Sequence, residues 1–230
     1  MRDLDRPVWA SLTTFHASLS EGDDRARRFV REVNVFASAR DDEAASQAAL
    51  AALVQPGEHV YVLQVPAIAL PPGLRAAKIA TGVQMVATRP FAVEPDGEIE
   101  LLTDADAPAM LALATLTEPG PFLARTHQMG RFVGIRRDGR LAAMAGERMR
   151  FPGHTEVSGV CTHPDFRGQG LARRLSAAVT AAIQARGDAA FLHAWSGNTP
   201  AITLYRGLGF ELRAGVNVAV LERDPAAPAR

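Results

Sequence analysis

The sequence predicts a mixed α/β fold, with helices on both faces of a mixed sheet. In the second half, apolar runs typical of strands alternate with helical patterns. Asp138 and Gly139 lie between two such runs, and this dipeptide is a strong hairpin signal. Residues 171–183 carry apolar side chains at helical spacing between two predicted strands. An order of this kind favours a sheet that combines hairpin pairs with helical crossovers.

The first 95 residues give weaker signals. Residues 42–54 are rich in alanine and are followed by Pro56 and Gly57, which predicts a helix that ends there. Residues 59–65 and 78–88 have the composition of strands. We therefore expect a smaller α/β region in this half.

A stretch rich in turn residues, 93–97, indicates a domain boundary. We predict an N-terminal region at 1–95, a second domain at 96–225 and a short tail at 226–230. Charge does not distinguish the two parts, since residues 1–95 hold 10 basic and 11 acidic residues and the remainder holds 15 and 14.

The elements of the second half follow from periodicity and turn signals. Asp106 is a suitable helix N-cap and Gly187 a suitable C-terminal cap. The predicted order is strand 99–102, helix 107–117, short helix 122–129, strands 132–136, 141–149 and 154–162, a glycine-bearing loop, a helix to about 186, strand 189–195, short helix 198–206 and strand 216–222.

Composition excludes several classes of protein. The 25 basic and 25 acidic residues cancel, which argues against a disordered chain and against a nucleic-acid binder that works through bulk charge. A single cysteine, Cys161, allows no internal disulfide and no zinc cluster, so we expect a reducing, cytoplasmic environment. We expect no signal peptide and no membrane span. Lys78 is the only lysine, which we interpret as codon bias in a bacterial protein.

The most informative segment is the strand, loop and helix of residues 160–175. Gly168 and Gly170 allow close approach to a ligand, and the amides at the start of the helix form an anion site. A Walker loop is excluded because the loop has no lysine. Arg173 stands where a dinucleotide fingerprint has its third glycine, which counts against NAD. A glycine-rich turn without a ligand stays open at this point.

Two signatures in this region resemble the GNAT N-acetyltransferase superfamily. Residues 167–172 (RGQGLA) match its Arg/Gln-x-x-Gly-x-Gly/Ala signature, and residues 198–210 resemble its second signature, Asn-x-x-Ala followed by Leu-Tyr-x-x-Leu-Gly-Phe. The resemblance is strong over residues 156–210 and extends to about Ile99. Residues 144–164 are similar to the branch that includes glycine N-acyltransferase-like proteins. The resemblance to the superfamily implies a GNAT fold in the C-terminal half, and the resemblance to this branch implies a degenerate GNAT-like N-terminal half.

The resemblance also implies a set of residues that bind acetyl-CoA or another acyl-CoA. The loop and helix start would hold its pyrophosphate. The strand before the loop would hydrogen-bond the pantetheine arm through its backbone, and Asn198 and Tyr205 would contact the cofactor from the following helix. The full set is Val160, Cys161, Thr162, Arg167, Gly168, Gln169, Gly170, Leu171, Ala172, Arg173, Asn198 and Tyr205. No metal site is expected.

Glu156 is the candidate general base for the acceptor amine. On a regular strand Glu156, Ser158 and Val160 share one face, which would place this carboxylate beside the thioester. An ordinary glutamate is a weak base for an ammonium group, so it would need a raised pKa or a water relay. The alternative is that Glu156 pairs with Arg148 or Arg150 on the neighbouring strand.

Tyr205 is the candidate general acid. A phenol with a pKa of about 10 keeps its proton at pH 7 and can donate it to a departing thiolate. The alternative is a tyrosine that only packs in the core. Cys161 falls on the opposite strand face from Glu156, so we predict a packing role and no acyl-enzyme.

We therefore expect an N-acyltransferase that moves an acetyl or other small acyl group from acyl-CoA to a primary amine of a small molecule or amino acid, by direct attack in a ternary complex. A catalytically silent acyl-CoA sensor is the alternative, and an NAD-dependent oxidoreductase comes third. The acceptor pocket is expected from residues 117–129 and the N-terminal region. No nucleic-acid or membrane partner is expected, and a homodimer is allowed for.

Overall fold

A computed structural model describes residues 3–91 and 96–226. The helices are α1 (Pro7–Leu12), α2 (Ala44–Leu53), α3 (Ala107–Thr117), α4 (Leu171–Ala185) and α5 (Thr199–Leu208). The strands are β1 (Ser20–Gly22), β2 (Ala26–Phe29), β3 (Ala37–Ala39), β4 (Val60–Gln64), β5 (Leu74–Ala87), β6 (Glu100–Leu102), β7 (Phe132–Arg137), β8 (Arg140–Phe151), β9 (His154–Thr162), β10 (Ala189–Trp195) and β11 (Phe210–Arg223). None of the helices in these ranges is long and apolar enough to cross a membrane.

An eight-stranded mixed sheet organises the molecule, in the order β4-β11-β5-β10-β9-β8-β7-β6. Neighbouring strands are antiparallel except β9 and β10, which are parallel and connected through α4. Strands β1, β2 and β3 form a separate antiparallel sheet. The predicted mixed α/β fold is confirmed.

The strands from the first 95 residues belong to the same large sheet as the C-terminal ones. Strand β5 lies between β10 and β11, and β4 pairs with the other side of β11. The description of the chain as two halves is therefore not confirmed. The predicted boundary falls partly on residues 92–95, and the predicted tail mostly on 227–230, which lie outside the described residues.

Most local predictions match the observed elements, and the differences have local causes. Strand β11 begins at Phe210, six residues before its predicted start, because a register shift between Leu212 and Ala214 breaks the alternation that marks a strand. The predicted helix at 122–129 is only a 3₁₀ turn at Thr126–Met129. Helix α1 and strands β1 to β3 were not predicted, because elements of three to six residues are too short to show a period.

Each face of the sheet has its own apolar core. Helix α4 buries Leu171, Leu175, Val179 and Ile183 against β7 to β10, as its periodicity predicts. Burying one such side chain contributes about 1.5–3 kcal/mol. On the other face, α1 and the N-terminal region pack against β8 and β10. Helix α3 packs against β8 and β9. Apolar side chains therefore pack against both faces of the sheet at β8 and β10.

Candidate active site

The parallel strands β9 and β10 separate part-way along their length. They pair over three residues only, from His154 opposite Ala189 to Glu156 opposite Phe191. Beyond that point a cavity of about 380 Å³ opens, and residues of both strands line it. The end of α3, the start of α4, helix α5 and the N-terminal region complete its wall. The site is thus a cleft in the middle of the sheet.

The start of α4 forms one border of the cleft. Gly168 and Gly170 have φ values of 77° and 73°, a region that favours glycine. A Cβ atom at either glycine would meet nothing within 4 Å, so the space beside the loop is open. The first helical hydrogen bond runs from the Arg174 amide to the Gly170 carbonyl, at 3.1 Å, and the three preceding amides point out of the helix end. This arrangement fits a phosphate-bearing group.

The cleft brings together seven residues of the predicted cofactor set. They are Val160, Cys161, Thr162, Arg167, Ala172, Asn198 and Tyr205. Asn198 lines the cleft, and its Oδ1 atom accepts the Ala201 amide at 3.2 Å as the N-cap of α5. Leu171 is instead buried in the core, and Arg173 donates to the Gly207 carbonyl at 3.2 Å.

Tyr205 presents a protonated phenol to the cleft. It lies on α5, is buried and packs edge-on against Phe210, with 5.9 Å between the ring centroids. Burial raises the pKa of Tyr205 to about 12, and the nearby Cys161 and Glu156 add to the shift. The phenol therefore remains a hydrogen-bond donor at neutral pH, as the general-acid prediction requires.

Glu156 is fully buried and all its acceptor positions are engaged. Oε1 accepts from Arg148 Nη2 at 2.7 Å and from His193 Nδ1 at 2.7 Å. Oε2 accepts from Arg148 Nε at 2.8 Å and from the Met149 amide at 3.3 Å. Burial alone would raise the pKa of Glu156, but the Arg148 guanidinium and these hydrogen bonds outweigh it and hold the pKa well below its usual range.

The raised pKa, one of the two routes predicted for Glu156 as a general base, is contradicted, because its pKa is held below the usual range. Glu156 is also not among the described residues that line the cleft, so the water relay is the route that stays a prediction. The alternative, a pair with an arginine of β8, is the observed arrangement. Its partner is Arg148, whereas Arg150 donates to Asp188 at 3.2 Å.

A distortion of β9 explains why the expected common face fails. Gly159 has a φ of 62°, and the pairing of β8 with β9 shifts register in two places. As a result Val157 and Val160, three residues apart, both pack on the α4 side, whereas Cys161 packs with α3. The period of two is broken between Glu156 and Val160, so these two side chains do not share a face.

His193 was not predicted, and it connects the buried carboxylate to β5. The Gln84 amide fixes the direction of this chain, because its Oε1 accepts from Arg213 at 2.7 Å and its Nε2 donates to the Leu4 carbonyl at 2.8 Å. Gln84 Nε2 therefore donates to His193 Nε2 at 3.0 Å, and His193 Nδ1 donates to Glu156. Both ring nitrogens of His193 are therefore engaged in hydrogen bonds.

Cys161 is a buried thiol with weak nucleophilic character. Burial raises its pKa to about 11, against partial opposition from the Thr117 hydroxyl and the Met144 backbone. A thiol of this kind holds its proton at neutral pH, which agrees with the predicted packing role. Among the residues that the structure describes, no cluster of three or more His, Cys, Asp or Glu side chains is placed to hold a metal ion.

The end of α3 places a strained acidic residue at the cleft. Glu118 occupies the left-handed region, with φ 48° and ψ 54°, and its amide donates to the Ala114 carbonyl at 2.8 Å. This conformation costs a non-glycine residue about 1–2 kcal/mol. Of the described residues that line the cleft, Glu118 is the only carboxylate. The sequence offered only the helix stop at Pro119 and Gly120 as a signal.

Aromatic and aliphatic residues of the N-terminal region close the other end of the cleft. Phe36, Tyr61 and Leu63 line it together with Val218 of β11. The Phe36 and Tyr61 rings meet edge to face at 6.0 Å. The Arg148 guanidinium lies over the Phe36 ring, 4.9 Å from its centroid. No signal in the sequence indicates which residues of the N-terminal region lie at this end of the cleft.

Comparisons with known proteins agree with this fold and cleft. Residues 132–218 match the family model described as FR47-like protein. The crystal structure of an acetyltransferase of the GNAT family from Novosphingobium aromaticivorans is 41% identical and superposes with a TM-score of 0.92, over 97% of this chain and 100% of that one. A GCN5-related N-acetyltransferase from Kribbella flavida shares the fold at 20% identity and a TM-score of 0.65, over 99% and 97% of the two chains. No curated protein matches the chain.

A mixed sheet that opens at a parallel strand pair, beside a glycine-bearing helix start, defines a class of acyl-group transferases when these similarities are added. The chain belongs to the GNAT acetyltransferase family. This relationship supports acetyl transfer in general terms and leaves the acceptor unspecified.

Proposed function

We propose that the protein transfers an acetyl or other small acyl group from acyl-CoA to a primary amine of a small molecule or amino acid, by direct attack in a ternary complex. The observation that carries the proposal is one continuous cleft lined by Arg167 and Ala172, on either side of the glycine loop, and by Tyr205. The similarity of residues 144–164 to glycine N-acyltransferase-like proteins favours a small amino compound as the acceptor. When bound, acyl-CoA supplies the acyl group as a reactive thioester.

In this proposal the chain provides a binding track along the cleft. The amides at 168–173 and the Arg167 guanidinium hold the pyrophosphate, because a helix start with open glycine positions accepts anions. The backbone of Val160, Cys161 and Thr162 and the Asn198 side chain hold the pantetheine arm. Each of these four residues lines the cleft, which supports the assignment.

The reaction requires two proton transfers: the acceptor amine must lose a proton, and the departing thiolate must gain one. A primary amine with the pKa of a lysine side chain is about 1 part in 2,500 neutral at pH 7, which costs about 4.6 kcal/mol. Tyr205 would donate a proton to the departing thiolate. Since Glu156 is saturated by Arg148 and His193, it would act as a positioning residue that fixes β8, β9 and β10. The amine would then lose its proton through water in the cleft.

The first test is a thermal shift with about 1 mM acetyl-CoA, CoA or NAD. If acetyl-CoA binds at about 10 µM, the native state gains about 2.7 kcal/mol, which raises Tm by roughly 5–10 °C. Gly170→Asp adds an anion at the helix start and should abolish the rise. Gly153→Asp is the matched control, because Gly153 has a φ of 75°, open space around its Cβ position and no place in the cleft.

The outcomes also separate the alternative functions. No shift with either CoA form would overturn the proposal, and a shift with NAD alone would favour an oxidoreductase. A shift with CoA but no thiol release with any amine would favour the acyl-CoA sensor. The protonated Tyr205 in the cleft is the observation that favours an enzyme.

A further inference from the structure

The cleft has only one carboxylate, among the described residues, with which to meet a cationic amine. An acceptor amine arrives mostly as an ammonium ion, and a charged group that leaves water needs an opposite charge. Glu156 is closed off by Arg148 and His193. Of the described residues that line the cleft, Glu118 alone can offer a carboxylate, and it is exposed.

Contacts place Glu118 beside the reacting end of the cleft. The preceding residue, Thr117, donates its hydroxyl to the Leu113 carbonyl at 2.6 Å and also lines the cleft. Cys161 packs against Leu113 of the same helix, and it lines the cleft together with Tyr205. The end of α3 and the predicted general acid therefore line the same cleft.

A carboxylate on the acceptor would need a positive charge in the cleft, and the charge of Arg148 is already offset by the Glu156 carboxylate. Two arginines are among the described residues that line the cleft, Arg148 and Arg167. Arg148 gives both Nε and Nη2 to Glu156 and stacks on Phe36. Arg167 adjoins the glycine loop at the anion-binding end. Beside Arg148 and His193, the wall at this end of the cleft is apolar or aromatic, from Phe36, Tyr61, Leu63 and Val218.

We propose that Glu118 binds the ammonium group of the acceptor, and that the acceptor is a primary amine with an apolar body and no carboxylate. This inference rests on the proposed function and narrows it. Glu118 holds a left-handed conformation directly after α3, at a position that lines the cleft. Strain of this kind is retained where a functional position requires it.

The test compares tyramine with tyrosine as acceptors, because the two differ only by the carboxylate. CoA release from acetyl-CoA is measured for the wild type and for Glu118→Gln. We expect kcat/KM at least 10-fold higher for tyramine. Glu118→Gln should lower kcat/KM for tyramine by about 10–100-fold, as for loss of a hydrogen bond between charged groups. It should also narrow the ratio between the two acceptors, since Glu118 repels the tyrosine carboxylate.

Asp138→Asn is the matched control for the loss of a negative charge. Asp138 is also exposed and has a φ of 51°, but it lies in the β7–β8 turn and does not line the cleft. It should leave kcat/KM for both acceptors unchanged. Glycine variants separate strain from binding. Glu118→Gly and Asp138→Gly should each raise Tm by about 2–4 °C, and only Glu118→Gly should lower kcat/KM.

Three results would overturn the inference, and they show whether the proposed function fails with it. Turnover of amines that Glu118→Gln leaves unchanged, or a preference for tyrosine over tyramine, would overturn the assignment of Glu118 and leave the proposed function in place. A CoA-dependent thermal shift without turnover of any amine, and without further stabilisation by tyramine, would overturn both.

Discussion

The residues in and beside the cleft have two different roles: Tyr205 can donate a proton, whereas Glu156 and its partners form a buried polar network. Tyr205 has burial without a compensating charge, so its pKa rises and its proton stays. Glu156 has burial with a bidentate arginine, so its pKa falls and its charge stays. Breaking such a buried pair by removing one partner costs about 3–5 kcal/mol. Loss of activity in a Glu156 variant would thus reflect the lost stability of this buried network and would not by itself show a catalytic role.

The general-acid assignment can be tested with the two tyrosines of the sequence, Tyr61 and Tyr205, which both line the cleft. Tyr205→Phe removes only the hydroxyl and should lower kcat by about 10²–10⁴-fold, because the thiolate then leaves without a proton donor. The acetyl-CoA thermal shift should persist. Tyr61→Phe should keep kcat within a few-fold. Equal kcat values for the Tyr205 variant and the wild type would remove the acid role.

At the scale of elements, the sheet depends on a strand from early in the chain. Strand β5 pairs with β11 over thirteen residue pairs and with β10 over five. Strand β5 lies between β10 and β11, so without it the edge of each strand that pairs with β5 would be open. The residues that carry the family signatures therefore need the first 95 residues for a complete sheet.

A fragment of residues 96–230 should accordingly fail to form fixed tertiary structure. We expect it to lose near-UV circular dichroism, to melt without cooperativity and to aggregate through the open edges of β10 and β11. Co-expression with residues 1–95 as a separate chain should recover a soluble complex with a cooperative transition. A monomeric fragment with a sharp transition and a CoA-dependent thermal shift would contradict this expectation.

The sequence predicted those elements whose pattern lies within one contiguous segment, and it did not predict features that depend on contacts between distant segments. Helix α4 and the β7–β8 hairpin follow from contiguous periodicity and turn residues, and both were predicted. The face of Glu156 was not, because one glycine with positive φ, Gly159, reverses the alternation of β9. The position of β5 between β10 and β11 is a pairing between distant segments, which a local pattern does not record. In the site, the glycine loop and Tyr205 had sequence signatures, whereas Glu118 and His193 depend on tertiary contacts.

At the scale of the whole molecule, the N-terminal region is fixed to the strands of the site by a buried histidine. His16 follows α1, and its Nε2 donates to the Met129 carbonyl at 2.7 Å. Its Nδ1 accepts from the Ser11 hydroxyl at 2.6 Å, and the same hydroxyl accepts the Arg150 amide of β8 at 3.3 Å. These hydrogen bonds connect α1 to Met129, which precedes β7, and to Arg150 of β8. The His16 imidazole at their centre is neutral.

Because of His16, we therefore expect the free energy of unfolding to decrease as the pH is lowered from 6.5. Burial lowers the pKa of His16 from 6.5 and the Arg150 charge adds to this, whereas the Met129 hydrogen bond and the Glu156 charge oppose it without cancelling it. The unfolded chain binds a proton at this histidine near pH 6.5, whereas the folded chain does so only at lower pH. The stabilisation is complete above pH 6.5 and is lost as the pH falls below it, by at most about 1.4 kcal/mol per pH unit. Urea unfolding of the wild type and of His16→Gln between pH 5 and 8 measures the effect. The wild type should lose its excess stability over the variant as the pH falls, and parallel stability curves would show that His16 does not couple folding to protonation.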